Sequence, residues 1–551
     1  MVMQQELTLS NMEDLELQKS TPKAGKYVIL CTILATVSSL LLGYDIGVMS
    51  GALLFVADDL KLNTVQEEVI VGSLNLVSIF GGAIAGRLSD AIGRRYSMML
   101  ASIIFFVGAL ILAVAPSFGV LLLGRLVEGI GVGFAMMIAP VYAAELAPAH
   151  VRGCLVSLTE FFINVGILLG YMISFAFQYL PEHINWRSML GAGMLPSVVL
   201  ALGVIVMPES PRWLVTQRRM KQAVKVLVDT SGGNEAEAHD RMRDIMETVG
   251  FVNPDPTREP TVEEYNVAFG NAKKQGEGVW KELLLCQGPR YLRRMFICSL
   301  FIHFFQQACG IDAAVYYSPV VFGEAGVRSR LGRLGALVGV GAIKCSCVLV
   351  ATFLFDKMGR KPMVMLSGLG VGLCLFGLGT AFILLGINSA QGDTLVSVNL
   401  SNAVHSSKLG TGITIFLIFA YVGWFSIGMG PFPWVFVAEA FPLRVRAQAM
   451  GMCVFMNRLI SGTVALTFLT ISKKITPAGT FFLYGVLVLM SILFIHFFVP
   501  ETKGKTLEEL TAMFEESSSR NESHAEEDDH KQTRNFERAP SGCLLTHCFK
   551  S

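Results

Sequence analysis

The chain has 551 residues and a mass of 60.0 kDa, and 52% of the residues are hydrophobic while only 16% are charged. Soluble domains carry about 25% charged residues, so these values and a mean hydropathy of +0.54 exclude an ordinary water-soluble globule. The 44 Lys and Arg against 43 Asp and Glu give a net charge of +1, which argues against a nucleic-acid partner. Composition therefore predicts a polytopic membrane protein.

Twelve stretches of mostly apolar residues are long enough to cross a bilayer as helices, which requires roughly 20 residues each. We number them spans 1 to 12. In chain order they lie near residues 28–57, 68–89, 97–115, 118–144, 153–180, 187–207, 294–322, 331–355, 362–386, 411–440, 446–471 and 477–499. They predict an all-α membrane protein. The first 27 residues show no signal-peptide pattern, so span 1 is expected to act as the insertion signal.

The positions of Lys and Arg in the short loops predict the orientation of the chain. Basic residues follow the even-numbered spans, as Arg94 follows span 2 and Arg360 belongs to the loop after span 8. This pattern predicts that these loops and both termini are cytoplasmic. Asn399, in a glycosylation triplet between spans 9 and 10, then lies outside and is a candidate for modification.

The eleven Cys show no metal-ligand spacing and are expected to be free thiols.

The two halves of the chain repeat the same cytoplasmic motifs. GRLSDAIGRR (86–95) after span 2 corresponds to FDKMGRKP (355–362) after span 8. Such duplication is typical of transporters that bind their substrate at mid-membrane between the halves. We predict five segments: a cytoplasmic N-terminal segment 1–27, a six-helix half 28–207, a cytoplasmic linker with short helices 208–292, a second six-helix half 293–499, and a largely disordered cytoplasmic tail 500–551.

Acidic residues recur beside basic residues at matched cytoplasmic corners of both halves. We predict gating ion pairs of Asp90 with Arg94, Glu145 with Arg152, Asp356 with Arg360, and Glu439 with Arg446. Glu209 and Arg212 of PESPRW (208–213) belong to the same predicted set. These pairs would latch one conformation and break in the other. The alternative is that the basic residues only orient the protein in the membrane and the acids solvate them.

Ionisable residues inside a membrane are costly and mark functional sites. Asp45 in span 1 and Arg125 in span 4 lie at similar depths, so we expect them to pair. A carboxylate that exchanges an arginine for a proton can couple proton movement to transport. The alternatives are a static ion pair, or pairing of Arg125 with Glu128 one turn away.

A second polar group is expected to face the cavity between the halves. It comprises Glu160, Gln306, Gln307, Asp312, Lys344, Trp434, Asn457 and Arg458. Their hydrogen-bonding groups and one flat indole face suit a polyhydroxylated solute. For any single residue the alternative is a hydrogen bond that joins helices in lipid. No nucleophile–base or metal-ligand constellation stands out, so we predict no enzyme activity, no cofactor and no metal site.

Taken in order, the motifs resemble those of the sugar porter family of the major facilitator superfamily over roughly residues 25–510. The resemblance is carried by GRLSDAIGRR (86–95), GRLVEGIGVG (124–133), PESPRWL (208–214), QQACGIDAAVYYSP (306–319), GPFPWVFVAEAFP (430–442) and PETKG (500–504). Within the family the chain is most similar to the plant polyol and monosaccharide transporters.

This resemblance implies two six-helix halves and proton symport of linear polyols, inositol, pentoses or hexoses by alternating access at the plasma membrane. It implies that Asp45 is the proton site and Arg125 its partner. Gln306 and Gln307 would bind sugar hydroxyls, and Trp434 would stack on the substrate. The outer gate of span 7 is expected to include Tyr316 and Tyr317.

Four charged residues depart from the usual family pattern. Glu160 stands in place of Gln, Asp312 of Asn, Lys344 of a small or polar residue, and Arg458 of Trp. We expect one or both acids to pair with the bases, so that hydrogen-bonding groups replace an aromatic platform and acceptance widens from rings to open-chain polyols.

Two other functions remain open. One is a sugar uniporter without proton coupling, in which Asp45→Asn would leave net flux largely intact. The other is a sugar-sensing membrane protein, against which the short tail argues.

Overall fold

The computed structural model describes residues 26–147, 152–248, 289–384, 408–441 and 443–503, and within these ranges the regular secondary structure is helical. The helices are α1 (Lys26–Asp59), α2 (Thr64–Ile92), α3 (Arg94–Ala113), α4 (Phe118–Leu146), α5 (Arg152–Phe177), α6 (Glu182–Gly191), α7 (Met194–Val206), α8 (Pro211–Thr216), α9 (Met220–Thr230), α10 (Glu235–Thr248), α11 (Arg290–Ala308), α12 (Ile311–Glu324), α13 (Arg330–Met358), α14 (Arg360–Leu384), α15 (Lys408–Ile427), α16 (Phe432–Ala440), α17 (Leu443–Ile475) and α18 (Pro477–Phe498).

The twelve predicted spans are confirmed, because twelve helical segments of the described residues are long and apolar enough to cross a membrane. Spans 6, 7 and 10 are each divided into two helices, α6 and α7, α11 and α12, and α15 and α16. The break in span 7 lies at Gly310, whose φ of +82° is in the left-handed region. A Cβ at this position would also lie 2.6 Å from the ring of Tyr484, so only glycine fits.

Glycines allow α1 and α5 to pack with their backbones in direct contact. Gly43 and Gly47 of α1 face the backbone of Ile163 and Ile167 on α5. In the other direction, a Cβ on Gly170 of α5 would lie 2.5 Å from the Val48 nitrogen and 2.6 Å from the Tyr44 oxygen. Small residues of this kind let helices approach closely in lipid, where packing rather than hydrophobic burial drives association.

The two halves meet mainly along the helix pairs α1 with α12, α2 with α17, and α5 with α13, with smaller contacts of α16 with α5 and α17 with α4. We call the side where α1 ends and α2 begins the far face, and the side that carries α8–α10 the linker face. Near the far face, Arg330 donates to Asp58 at 2.7 Å and Thr470 donates to Glu68 through its backbone nitrogen (2.7 Å) and its hydroxyl (2.6 Å). Deeper in the bundle, Ser50 donates to the Val315 carbonyl at 3.0 Å. These bonds join the halves across the far face.

Short helices follow the first half, within the predicted linker. They bury a small apolar cluster of their own that includes Trp213 on α8, Leu227 on α9 and Met242 on α10. The Trp213 indole donates to the Asp90 carbonyl at 3.0 Å, and Arg241 donates to the Leu146 carbonyl at 2.7 Å. These bonds fix the cluster to the ends of α2 and α4.

Some predictions fall outside the described residues: the N-terminal segment before residue 26, linker residues 249–288, the tail from residue 504, and the glycosylation candidate Asn399. The described cysteines Cys31, Cys298, Cys309, Cys345, Cys347, Cys374 and Cys453 are free thiols, as expected.

The contact between α1 and α5 predicts the effect of adding one methyl group. We expect Gly170→Ala to destabilise the protein by about 1–3 kcal/mol, because the new Cβ overlaps backbone atoms that cannot move independently. Gly119→Ala is the matched control, since its Cβ meets no atom within 4 Å. Thermal unfolding of the detergent-solubilised variants measures the difference. Equal transition temperatures for the two variants would contradict this packing.

Candidate functional site

A polar cavity lies between the two halves and is lined by both of them. Its polar lining residues are Glu160, Gln306, Gln307, Asp312, Lys344, Trp434 and Arg458. The remainder of the wall is apolar and consists of Leu42, Ile46, Ile163, Ile167, Ile311 and Phe425. The structure thus brings together seven of the eight polar residues that the sequence singles out, and the eighth, Asn457, hydrogen-bonds to three of them.

An amide network crosses this cavity wall from α11 to α17. Asn457 donates to the Gln306 side chain at 2.7 Å, and Gln307 donates to Asn457 at 3.3 Å. The Gln306 amide donates to the Gly430 carbonyl at 2.6 Å, a group that the break between α15 and α16 leaves available. The network fixes the orientation of both glutamines.

Two buried polar atoms at the cavity have no hydrogen-bond partner in the described part of the chain. They are the Gln307 carbonyl oxygen, an acceptor, and the Trp434 indole nitrogen, a donor. Buried polar groups are almost always paired in folded proteins, so an unpaired donor and acceptor in one wall call for an explanation. A bound hydroxylated molecule would satisfy both.

The four charged residues that depart from the family pattern all line the cavity, but not as direct ion pairs. Asp312 accepts a short hydrogen bond from Ser461, and Arg458 donates to Asn457 at 2.6 Å and to Asn75 at 3.3 Å. Glu160 lies within 3.4 Å of the Asn164 amide. No ion pair within 4.0 Å joins the four among the described residues, so the expected acid–base pairing is absent from this conformation. Neutral amide and hydroxyl groups separate the charges instead.

The predicted Asp45–Arg125 pair in the first half is present, and Glu128 joins it as a third charged group. Arg125 contacts the Asp45 carboxylate closely through Nη1, and the same nitrogen lies 3.2 Å from Glu128. The exposed fractions of Arg125, Asp45 and Glu128 are 0%, 1% and 2%. Arg125 also donates through Nε to the Ile70 carbonyl at 3.3 Å. The two partners that the sequence left as alternatives are therefore both bound.

Two further polar side chains adjoin the site, Asn75, which the sequence did not single out, and His303, which the sequence left as structural or interfacial. Asn75 on α2 accepts from Arg458, and the buried ring of His303 lies edge-on to Trp434 with centroids 5.3 Å apart. The signal for both was a polar residue inside a span, and the choice between structural and functional roles needed the tertiary contacts. The apolar lining residues carry no sequence signal, because any span is rich in Ile and Leu.

The gating residues at the linker face form one predicted pair and one further contact. Arg94 binds Asp90 at 2.9 Å, as predicted, but also holds Glu145 of α4 through two bonds of 3.0 and 3.1 Å. The predicted partner of Glu145 was Arg152, whose side chain lies outside the described residues. Arg94 reaches Glu145 because the first turn of α3 lies beside the end of α4.

The second half repeats this arrangement. Arg360 at the start of α14 donates to Glu439 at 2.8 and 3.2 Å. The side chain of Asp356, its predicted partner, lies outside the described residues. Arg446 donates to the Phe441 carbonyl at 3.0 Å. Both helix-joining pairs, Arg94–Glu145 and Arg360–Glu439, therefore lie within one half rather than between halves.

Matching carboxylates cap the helices that begin at Arg94 and Arg360. Glu209 accepts from the backbone nitrogens of Arg94 (2.9 Å) and Arg95 (3.3 Å), and Glu501 accepts from those of Arg360 and Lys361 at 2.9 Å each. A carboxylate at a helix N-terminus is favoured by the unpaired N–H groups and the helix dipole. The other residue of the predicted gating set, Arg212, is half-buried on α8.

The two caps differ in their electrostatics. Burial raises the pKa of Glu209 above its usual value, although the N–H groups of Ser210, Arg95 and Arg94 oppose this. Burial also acts on Glu501, but backbone donors, first that of Lys503 and then those of Arg360 and Lys361, outweigh it and hold the pKa of Glu501 below its usual value. In its ionised form, Glu501 is therefore a more favourable helix cap than Glu209.

Comparison with known proteins agrees with this architecture. The sequence profile described as "Sugar (and other) transporter" matches residues 30–514. The chain belongs to this sugar transporter family. "Putative polyol transporter 1" of Arabidopsis thaliana is 44% identical over 499 residues, which cover 90% of this chain and 93% of that protein.

The similarity extends to solved structures. The proton:xylose symporter XylE of the major facilitator superfamily, bound to 6-bromo-6-deoxy-D-glucose, is 27% identical with a TM-score of 0.69, and the match covers 89% of this chain and 99% of that one. XylE from E. coli in a partially occluded inward open conformation is 26% identical with a TM-score of 0.69, and the match covers 88% of this chain and 100% of that one. The chain is thus an integral multi-pass membrane transporter with the major facilitator fold, not an enzyme, and the predicted similarity to plant polyol transporters is confirmed.

The two caps predict opposite pH dependence. Glu501 has a lowered pKa, so its contribution to stability is present above the pKa of an unfolded Glu, about 4.3, and is lost as the pH falls through the folded pKa. Glu209 has a raised pKa, so its contribution is present at low pH and is lost as the pH rises. We expect Glu501→Gln to lower stability by about 1 kcal/mol at pH 7, with the difference shrinking at pH 4. For Glu209→Gln the destabilisation should instead grow as the pH falls.

Thermal unfolding of the detergent-solubilised variants between pH 4 and pH 7.5 measures these differences. Each variant is compared with the parent at the same pH. Parallel pH profiles for the two variants would contradict the assignment.

Proposed function

We propose that this protein is a proton-coupled symporter of polyols and monosaccharides that works by alternating access. The observation that carries the proposal is the buried Asp45–Arg125 pair between α1 and α4, beside a polar cavity whose walls come from both halves. The names of the relatives support the two parts separately. The Arabidopsis protein is named a putative polyol transporter, and XylE is titled a proton:xylose symporter.

We propose that the substrate binds in the cavity between the halves. Gln306 and Asn457 hold each other, which leaves the Gln307 oxygen and the Trp434 indole nitrogen for the substrate. Hydroxyl groups both donate and accept, so neighbouring hydroxyls of one solute suit an acceptor and a donor in the same wall. The apolar wall, with Phe425 and the Trp434 ring, favours the C–H groups of the same solute.

The charged residues of the cavity favour a flexible, hydroxyl-rich solute over a flat ring. Arg458 contributes a guanidinium held by Asn457 and Asn75, where the family pattern has an aromatic ring. Charged donors and acceptors form the stronger hydrogen bonds. With Glu160, Asp312 and Lys344 around the same cavity, more hydroxyls find a charged partner than in a site built on stacking. Linear polyols are therefore the proposed preferred substrates, with inositol, pentoses and hexoses also accepted.

The position of Asp45 supports proton coupling. Because Asp45 lies on α1 and Arg125 on α4, their bond ties two helices, and protonation of the carboxyl group weakens that bond. In the proposed cycle, proton binding loosens α1 so that it moves with the loaded substrate. Return of the empty protein follows release of the proton and renewal of the pair.

The proposed gate and the bonds that stiffen each half lie on opposite sides of the cavity. On the far side, Tyr316 and Tyr317 are fully buried in α12, and the Tyr317 hydroxyl donates to the Ala465 carbonyl at 2.9 Å. At the linker face, we assign the pairs Arg94–Glu145 and Arg360–Glu439 the role of keeping each half rigid, so that the halves move as units. We retain the five-segment division of the chain and place both termini in the cytoplasm and the protein in the plasma membrane.

Replacement of the proposed proton site tests the coupling. We expect Asp45→Asn to abolish accumulation of labelled sorbitol in sealed proteoliposomes with an imposed pH gradient, because an amide takes up no proton in this range. Exchange of internal and external sorbitol without a gradient should continue. Asp229→Asn, an exposed carboxylate on α9, is the matched control and should accumulate normally. Accumulation by Asp45→Asn that equals the parent would overturn the symport mechanism, and protonophore-insensitive uptake by the parent would favour a uniporter.

A second experiment addresses substrate preference. We expect Arg458→Trp to lower sorbitol uptake relative to glucose uptake by roughly tenfold, which corresponds to the loss of one charged hydrogen bond worth about 1.5 kcal/mol. Arg458→Gln removes the charge without adding a ring, so it separates the two effects. Competition between the two solutes in the same vesicles gives the ratio. An unchanged ratio in Arg458→Trp would exclude this residue as a determinant of polyol preference.

A further inference from the structure

The Asp45–Arg125 site contains more negative than positive charge. One guanidinium nitrogen, Nη1 of Arg125, contacts Asp45 and lies 3.2 Å from Glu128. The two carboxyl groups also contact each other directly. Because all three side chains are almost completely buried, solvent does not neutralise the surplus charge.

Among the described residues, Asp45 and Glu128 form no salt bridge with a cation other than Arg125. The titratable neighbours that face the cluster are Tyr44 of α1 and Tyr316 of α12. Tyr44 donates its hydroxyl to the Met189 carbonyl at 2.6 Å. From the other helices the cluster meets neutral backbone, the Ile70 carbonyl of α2 and, on the α3 side, Gly108 packed against the Glu128 backbone. In the described part of the chain, Arg125 is thus the positive partner of both acids.

A buried cluster of two carboxylates and one guanidinium would carry an uncompensated negative charge if both acids were ionised. Burying an uncompensated ion costs several kcal/mol even after relaxation. Two carboxyl groups in direct contact avoid this by sharing a proton, as they do in other buried carboxyl pairs. With one proton on the pair, the cluster is neutral.

We propose that Glu128 makes the proton site a carboxyl pair, in which Asp45 and Glu128 share the proton that the transporter exchanges. Binding of one proton takes the cluster from a net charge of −1 to zero, and release returns it to −1, with Arg125 charged throughout. Glu128 raises the proton affinity of the site. With Glu128 the proton neutralises a cluster of net charge −1, whereas without it the proton would have to displace Arg125 from an already neutral pair with Asp45. This inference rests on the proposed symport function and specifies its proton site.

The two acids have different roles because they lie on different helices. Asp45 joins α1 to α4, so its state of protonation affects how the helices are held together. Glu128 lies three residues from Arg125 on α4 and moves with it. Asp45 therefore couples the proton to movement, while Glu128 sets the pH range in which coupling occurs.

The test is the pH dependence of transport in Glu128→Gln, which keeps the shape of the side chain and removes its charge. We expect protonophore-sensitive sorbitol uptake to persist, with its half-maximal pH shifted by about one unit or more toward acid, a tenfold change in proton concentration. Glu67→Gln, a half-buried carboxylate near the far end of α2, is the matched control and should keep the parental profile. Glu128→Asp keeps a carboxyl group, so its half-maximal pH should lie between those of Glu128→Gln and the parent.

A spectroscopic measurement makes the proposal testable even if the variant transports poorly. The infrared difference spectrum of the purified parent minus Glu128→Gln at pH 7 should contain a protonated-carboxyl band, because the substitution removes the carboxyl group that shares the proton. Absence of this difference band, or a parental half-maximal pH in Glu128→Gln, would overturn the shared proton. Loss of accumulation in Asp45→Asn with no shift in Glu128→Gln would leave symport standing and refute only the pair. Protonophore-insensitive uptake by the parent would refute both.

Discussion

The buried guanidinium of Arg125 imposes the constraint around which the first half is arranged. A charge at this depth is tolerated only with compensation, and helices α1, α2 and α4 all provide it. Asp45 and Glu128 provide carboxylates, and the Ile70 carbonyl accepts from Nε. The pairing is possible only because α1 lies close to α4 and α5, and the glycines of the α1–α5 contact allow that approach. The close packing of α1 on α5 and the bond between Asp45 and Arg125 therefore both depend on the position of α1.

The matching contacts at the linker face, which we call corners, show how each half keeps its shape. In both halves an Arg at the first turn of a helix binds a Glu at the end of the next span, and a second Glu from beyond the sixth span caps the same turn. Ser210 and Thr502 complete the match, because each donates to the carboxylate of its own corner at 2.6–2.7 Å. Ionic and capping bonds within a half restrain its internal movement. In the proposed alternating-access cycle, the changes then fall on the contacts between halves.

Sequence reasoning predicted the fold well, because twelve apolar stretches of sufficient length leave few alternatives in a membrane. It also found the cavity residues, since polar side chains inside spans are expensive unless they serve a purpose. It did not predict contacts between residues distant in sequence, such as Glu145 with Arg94, and it offered Asp45 and Glu128 as alternatives where Arg125 binds both. Helix breaks were also missed, because glycine and proline occur in unbroken spans too. The bond between Gln306 and Gly430 depends on such a break and had no signal in either segment.

Coupling between a neutral solute and a proton requires a mechanical connection, because an uncharged molecule exerts little direct force on a distant charge. Helix α1 has the geometry of that connection. Leu42 and Ile46 line the cavity, while Asp45, between them in sequence, faces Arg125. Tyr316 of α12 extends the connection to the second half, since its helix carries the cavity residue Asp312 and its ring lies near the Asp45–Arg125 pair. A solute that displaces α1 by contact with Leu42 or Ile46 therefore changes the distance between Asp45 and Arg125. By reciprocity, a proton that weakens the pair changes the affinity for the solute by the same factor.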